Sequence, residues 1–177
     1  WNIVSLRYFN PVGAHESGMI GENPKDIPNN IMPYIVNVAN KEMPYINIYG
    51  NDYDTHDGTG VRDYIHVMDL AESHLLALNF IGIKAINKRD SSADKHNVGF
   101  HAFNVGTGIG VSVLDAVKAF EKTNNLSINY SIGPRRDGDI EQIYANGSLV
   151  KAKLGWKAKE SLEKAMKSAW DWEKGKA

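Results

Sequence analysis

The run Gly60-Val61-Arg62-Asp63-Tyr64-Ile65-His66-Val67-Met68-Asp69-Leu70-Ala71 sets a guanidinium at the entrance of a strand. A glycine turn leads into Arg-Asp, then a β-branched and aromatic run, then a helix start. From that position Arg62 can project into a cleft and fork onto an anion. A second basic pair, Arg135-Arg136, lies between Gly133-Pro134 and Gly138, and Asp139 follows directly. Two or three arginines neutralise a pyrophosphate through bidentate bonds. A carboxylate such as Asp139 is an acceptor suited to the vicinal hydroxyls of a ribose. Together these residues read as a binder of something phosphorylated and hydroxyl-rich. Solvated surface charge is the commoner fate of arginine, but here each lies beside glycines at a strand or loop end.

Asn10, Asn29 and Asn30 donate and accept, which suits sugar and phosphate oxygens as well as it suits turns and helix caps. Tyr49 can stack on a base or serve as a core or edge-strand aromatic. The six histidines (15, 56, 66, 74, 96 and 101) show neither H-E-x-x-H nor an i, i+4 pair, so they read as polar or packing residues and no metal is expected. The absence of cysteine removes thiolate nucleophiles, disulfides and cysteine metal sites. Gly106, Gly108 and Gly110 invite a dinucleotide-binding reading. That fingerprint is G-x-G-x-x-G, and Val111 fills the slot of its last glycine. The turn therefore reads as a tight entry into a helix beside a cleft rather than as a cradle for phosphates.

The elements that must position these residues alternate between strand and helix. Residues 1–9 read as a strand, 10–13 as a turn, and 14–26 as a polar loop. A helix is expected from Ile27 to about Ala39, with Pro28 suiting its first turn and Pro33 straining it. Strands follow at Tyr45 to Tyr49 and Val61 to Ile65, separated by a hairpin-like excursion from Gly50 to Gly60. A helix from Met68 to about Ile81 carries Leu70, Leu75, Leu76 and Leu78 as one broad apolar face. Residues 87–97 are charged and serine-rich and read as a mobile loop. Ala102 to Val105 is a strand, and Ser112 opens a capping-box-like helix with Asp115 in place of Glu. Leu126 to Ser131 is a strand, Asn146 to Leu154 a helix stopped by Gly155, and Leu162 to Trp170 a final amphipathic helix. The alternation predicts an α/β fold with some parallel pairing.

A chain of 177 residues with net charge −1 is large enough for one cored domain and carries no field that draws it to nucleic acid or an anionic membrane. No run is long enough to span a bilayer and no signal peptide is visible, which fits a cytoplasmic setting. Trp1 stands inside a strand without a cap or tail, so the expectation is a piece of a longer chain.

Four segments now carry a resemblance: Leu6 to His15, Ile27 to Ile35, Gly58 to Ala71 and Pro134 to Asp139. In this order they resemble the C-terminal half of the UDP-glucose (UDP-galactose) 4-epimerases, extended members of the short-chain dehydrogenase/reductase superfamily. The resemblance implies the last strands of an extended Rossmann-type NAD(P)-binding fold with its smaller substrate-binding domain across residues 1–177, without the N-terminal NAD-binding half. It implies NAD as cofactor, with Tyr8 near its nicotinamide end. Asn10 is implied at the sugar diphosphate, Asn30 and Ile31 in the diphosphate pocket, and Asn47, Ile48 and Tyr49 on the strand against which uracil packs. Arg62 and Arg136 are implied to grip the diphosphate, Asp139 to hold the ribose, and Ile143 to border the hexose. A Tyr at that last position narrows the family's pocket, so Ile143 points to UDP-N-acetylhexosamines beside UDP-glucose and UDP-galactose. The family inverts C4 through a 4-keto sugar in galactose metabolism, with NAD taking and returning a hydride and a Tyr removing the O4 proton. A homodimer is a further implication.

The family's base lies in Tyr-x-x-x-Lys, where the Lys lowers the Tyr pKa. The residues four after Tyr8, 34, 45, 49, 53, 64, 130 and 144 are Val12, Val38, Tyr49, Tyr53, Asp57, Met68, Pro134 and Ser148, and none is Lys. No catalytic residue is therefore expected in this chain, which should be inactive alone. The alternatives are a non-catalytic UDP-sugar-binding module, or another nucleotide-sugar isomerase or dehydratase of the same superfamily.

Overall fold

A computed structural model describes residues 1–82 and 98–175. The expected loop at 87–97 and His96 lie outside the described residues. The chain opens with β1 (Asn2–Tyr8) and β2 (Asn10–Val12). The expected turn at 10–13 is thus a strand, and the bend falls on Gly13 at φ +91°. Pro11 is tolerated because, among the described residues, β2 pairs on one side only, so the missing N–H leaves no ladder bond unmade. The first helix, α1 (Ile31–Ala39), starts later than the Ile27 expected. Pro33 is then its third residue, where the N–H has no intrahelical acceptor, so it fits rather than strains the first turn.

β3 (Ile46–Tyr49) is followed by a loop that closes on itself through a Tyr53 N–H to Gly58 carbonyl bond of 3.0 Å. It is not a hairpin, since β3 and the next strand have different partners. The strand expected at Val61 to Ile65 splits at Asp63 into β4 (Val61–Arg62) and β5 (Tyr64–His66). α2 (Val67–Phe80), β6 (Gly99–Val105), β7 (Val111–Ser112), α3 (Val113–Asn124), β8 (Tyr130–Gly133), α4 (Ser148–Leu154) and α5 (Leu162–Lys174) complete the order. β1 pairs in parallel with β6, β2 with β5 and β3 with β8, while β4 runs antiparallel to β7. Parallel pairs joined through helices are the α/β arrangement that the alternation predicted.

Two apolar cores hold these pairs. In the first, Ile35 of α1, Ile46 and Ile48 of β3, Val117 and Phe120 of α3 and Met166 of α5 are buried together. In the second, Ile65, Phe103 and Val105 pack with Val150 and Trp156. Ser112 caps α3 by accepting the Asp115 N–H at 2.9 Å, as its position implied. Asp115 turns its carboxylate to His56 at 2.9 Å. Gly155 ends α4 in the left-handed conformation, at φ +67°. The apolar face expected on α2 is divided: Leu70 and Leu76 face the second core, while Leu75 and Leu78 are exposed. Among the described residues no helix is long and apolar enough to cross a membrane.

Candidate functional site

β4 ends in Arg62, whose side chain folds back along its own strand. Nη1 donates to the Val61 carbonyl at 2.8 Å and Nη2 to Asp139 Oδ1 at 2.5 Å. Gly60 permits the fold-back, because a Cβ there would stand 3.3 Å from Nη1. Asp139 is presented by a tight turn in which its N–H bonds the Arg136 carbonyl at 3.1 Å. Gly138 takes φ +75° in that turn, a value glycine adopts without strain. The same turn brings Arg136 Nη2 to 3.2 Å from Asp139 Oδ2.

The turn leaves β8 at the carboxyl end of the β3–β8 pair, where Tyr49 lies opposite Gly133. Arg136 there stacks its guanidinium 4.8 Å above the Tyr49 ring. Arg135 goes the other way. It bonds Asp52 Oδ1 at 2.7 Å and lies 4.0 Å over the Tyr53 ring, and the bond holds the Asp52 carboxyl below its usual range. The three arginines seen in the sequence thus divide into a converging pair and one that pins the loop at 50–60.

The remaining expected residues surround this cluster unevenly. Asn10 sits in register with Tyr64, its N–H on the Asp63 carbonyl at 2.9 Å, one residue beyond Arg62. The Ile143 N–H bonds the Val61 carbonyl at 3.0 Å, so its exposed side chain emerges beside β4. On β3, Asn47 and Tyr49 share the exposed face, whereas the Ile48 side chain is buried in the first core. Ile48 can offer only its backbone, because alternate strand residues point to opposite faces. Asn30 is the N-cap of α1 in extended geometry, and its side chain makes no capping bond. Ile31 packs against the first core, and α1 meets the cluster's strand through its packing on β3. Tyr8 ends β1 exposed, its ring 5.9 Å from that of His74.

Sequence reasoning missed Asp63. It is fully buried and accepts from Thr107 N at 2.9 Å, Thr107 Oγ1 at 2.6 Å, Gly108 N at 2.9 Å and Ala145 N at 3.1 Å. A Cβ on Gly106 would stand 2.5 Å from Asp63 Oδ2. The glycine turn is therefore an anion nest filled by the protein's own carboxylate. This is why it carries glycines without the dinucleotide spacing. Tyr64 beside it is pushed up to about 12 by burial, against the pull of Arg62. It stays protonated near neutrality and cannot act as a base there.

His56 Nε2 also lies 2.9 Å from Asp115 Oδ2 and 3.6 Å from Asp57 Oδ2, a trio that local spacing could not reveal. Asp57 already accepts from Thr59 N, Thr59 Oγ1 and Ser112 Oγ. Burial alone would raise its pKa, but these bonds and His56 hold it below the usual carboxylate range. The trio ties the 50–60 loop to the start of α3.

Chemically, the converging pair offers two guanidiniums, a carboxylate between them and an aromatic face. That set suits a diphosphate flanked by a diol and a planar base.

A family model described as GDP-mannose 4,6 dehydratase matches residues 1–169. UDP-glucose 4-epimerase of Drosophila melanogaster is 51% identical over 98% of this chain and 46% of its own length. The Haemophilus influenzae UDP-glucose 4-epimerase is 52% identical over 98% of this chain and 48% of its own. The structure of UDP-glucose 4-epimerase from Bifidobacterium longum, in complex with NAD+ and UDP, superposes with a TM-score of 0.86 at 48% identity, covering 99% of this chain and 48% of that one. The Stenotrophomonas maltophila enzyme, with bound NAD and formylated UDP-arabinopyranose, has a TM-score of 0.86 at 46% identity, covering 99% of this chain and 48% of that one. The chain spans about half the length of the curated relatives it matches. Its α/β fold is that of the corresponding part of these extended Rossmann-type enzymes. The chain belongs to the GDP-mannose 4,6 dehydratase family and, across nearly all of its residues, is a homologue of the UDP-glucose 4-epimerases.

Proposed function

We propose that residues 1–177 are the substrate-gripping half of an NAD-dependent UDP-glucose 4-epimerase, comprising the last Rossmann strands and the substrate domain. UDP-glucose and UDP-galactose are its substrates. The observation that carries this reading is the convergence of Arg62, Arg136 and Asp139 beside Tyr49 at the carboxyl end of a parallel strand pair. Ligands of α/β folds gather at such strand ends. The relatives crystallised with UDP or a UDP-sugar support the choice of diphosphate.

In this reading Arg62 and Arg136 fork onto the diphosphate, with Asn10 and Asn30 adding neutral donors. Asp139 accepts from the ribose, and Asn47, Tyr49 and the Ile48 backbone receive uracil. Ile143, exposed beside β4, borders the hexose and leaves room for an N-acetyl group. Firm anchoring of the non-reacting nucleotide lets binding energy support chemistry at a loosely held sugar. NAD, when bound, accepts and returns the hydride at the sugar C4. Tyr8, exposed at the end of β1, fits one edge of that group's site. The glycine turn does not fit its phosphates, since Asp63 fills the nest. The phosphate cradle and the tyrosine base therefore belong to residues outside these 177.

The test is turnover. Purified 177-residue chain supplied with NAD and UDP-glucose should yield no UDP-galactose. Robust interconversion would overturn this division of labour. Within an active assembly, Ile143→Tyr should reduce conversion of UDP-N-acetylglucosamine more than that of UDP-glucose.

A further inference from the structure

The arginine pair is charge-compensated before any ligand arrives. Asp139 gives one oxygen to Arg62 and the other to Arg136, at 2.5 and 3.2 Å. The side chains of Arg62 and Asp139 are each only 17% exposed, so water screens their attraction weakly. Three of the five Arg62 N–H groups are engaged, both on Nη1 by the Val61 and Glu141 carbonyls and one on Nη2 by Asp139, which leaves Nε–H and a second Nη2 hydrogen to meet an anion. A diphosphate that forks onto both arginines sets its negative charge beside the Asp139 carboxylate that already holds them.

We propose that Asp139 is an exchange partner that makes the site select nucleoside diphosphates over bare polyphosphates. It neutralises the arginines in the free protein and yields them when the incoming anion also brings ribose hydroxyls. The proposal rests on reading Arg62 and Arg136 as the diphosphate grip. An anion that captures the arginines strips a mostly buried carboxylate of both its charged partners and sets new negative charge beside it. That is costly unless hydrogen-bond donors replace them. A ribose diol supplies two adjacent, uncharged O–H donors, whereas pyrophosphate brings negative charge on both phosphates and no such diol. The Asp139 backbone is fixed by the Gly138 turn, so only the side chain moves in the exchange. Arg136, 60% exposed and stacked on Tyr49, is the outer arginine that a ligand meets first.

Calorimetry with UDP and with pyrophosphate, on the 177-residue chain and its Asp139→Asn variant, tests this. The replacement amide is isosteric with the carboxylate and uncharged. The variant should bind pyrophosphate at least about fivefold more tightly than the parent, the scale of one relieved like-charge contact, and UDP no more tightly. The selectivity for UDP over pyrophosphate then falls. Unchanged or weaker pyrophosphate binding in the variant would overturn the proposal. Failure of the parent to bind UDP would overturn the diphosphate reading itself, so the two failures are distinct. If Asp139→Asn does not fold, the parent alone decides. It should bind UDP about tenfold or more tightly than 2′,3′-dideoxyuridine diphosphate, and equal affinities would overturn the exchange.

Discussion

Asp63 is the residue on which the local geometry depends most. Its two oxygens receive four donors from the glycine turn and from Ala145, and no water reaches it. Asp63→Asn keeps the shape but turns one acceptor into a donor facing N–H groups. It should cost about 2–4 kcal/mol in urea unfolding, and a change within experimental error would contradict the nest. His66 supplies a pH-dependent contribution. Burial lowers its pKa from the ordinary 6.5, against the pull of Glu160 and Asp69 and with some help from Lys164. Below 6.5 the unfolded chain takes up a proton that the folded chain resists. Stability is therefore full above that value and falls as the pH drops below it. Urea midpoints should decline as the pH falls below about 6.5, and His66→Asn should flatten that slope. At this scale the sequence exposed Arg62, Arg136 and Asp139 through their turn neighbours. It could not show that Asp139 answers both arginines, or that Asp63 fills the glycine turn from 44 residues away. Such pairings are tertiary and leave no local period.

At the element scale, two short parallel pairs aim the site. The β3–β8 pair delivers Tyr49 and the Arg136 turn together, and the β2–β5 pair sets Asn10 just beyond Arg62. Gly106 allows the turn to close over Asp63. Gly106→Ala would press a methyl against Asp63 Oδ2 and, at 2.7 Å, against Ala145 Cβ. It should lower stability by about 1–3 kcal/mol, with UDP affinity falling as Arg62 loses its register; an unchanged melting curve would contradict the contact. The helices from α2 to α5 were legible because periodicity, Ser112 and Gly155 are local signals, while α1 begins four residues after the Ile27 expected. The strands at 10–12 and 61–66 were less so. Asn-Pro-Val-Gly has turn composition, and the break at Asp63 arises from a change of partner strand. The division of the α2 leucines was hidden for a similar reason. Helical spacing shows which residues are apolar but not which side meets a core.

For the whole molecule, apolar side chains remain uncovered on β1, β6 and α2. Ile3 and Tyr8 of β1, Phe100 of β6, and Met68, Leu75 and Leu78 of α2 are exposed, and among the described residues β1 and β6 pair only with each other. Open parallel edges and apolar faces favour association. The purified chain should self-associate in light scattering at micromolar concentration, and Leu75→Lys with Leu78→Glu should reduce it; a strictly monomeric parent would contradict this. In the proposed function, Arg62 holds the UDP end of a UDP-sugar. The most direct test is calorimetric titration of UDP into the 177-residue chain and into Arg62→Ala. UDP should bind the first saturably and the second about tenfold or more weakly. Equal affinity in both, or no binding to either, would contradict it.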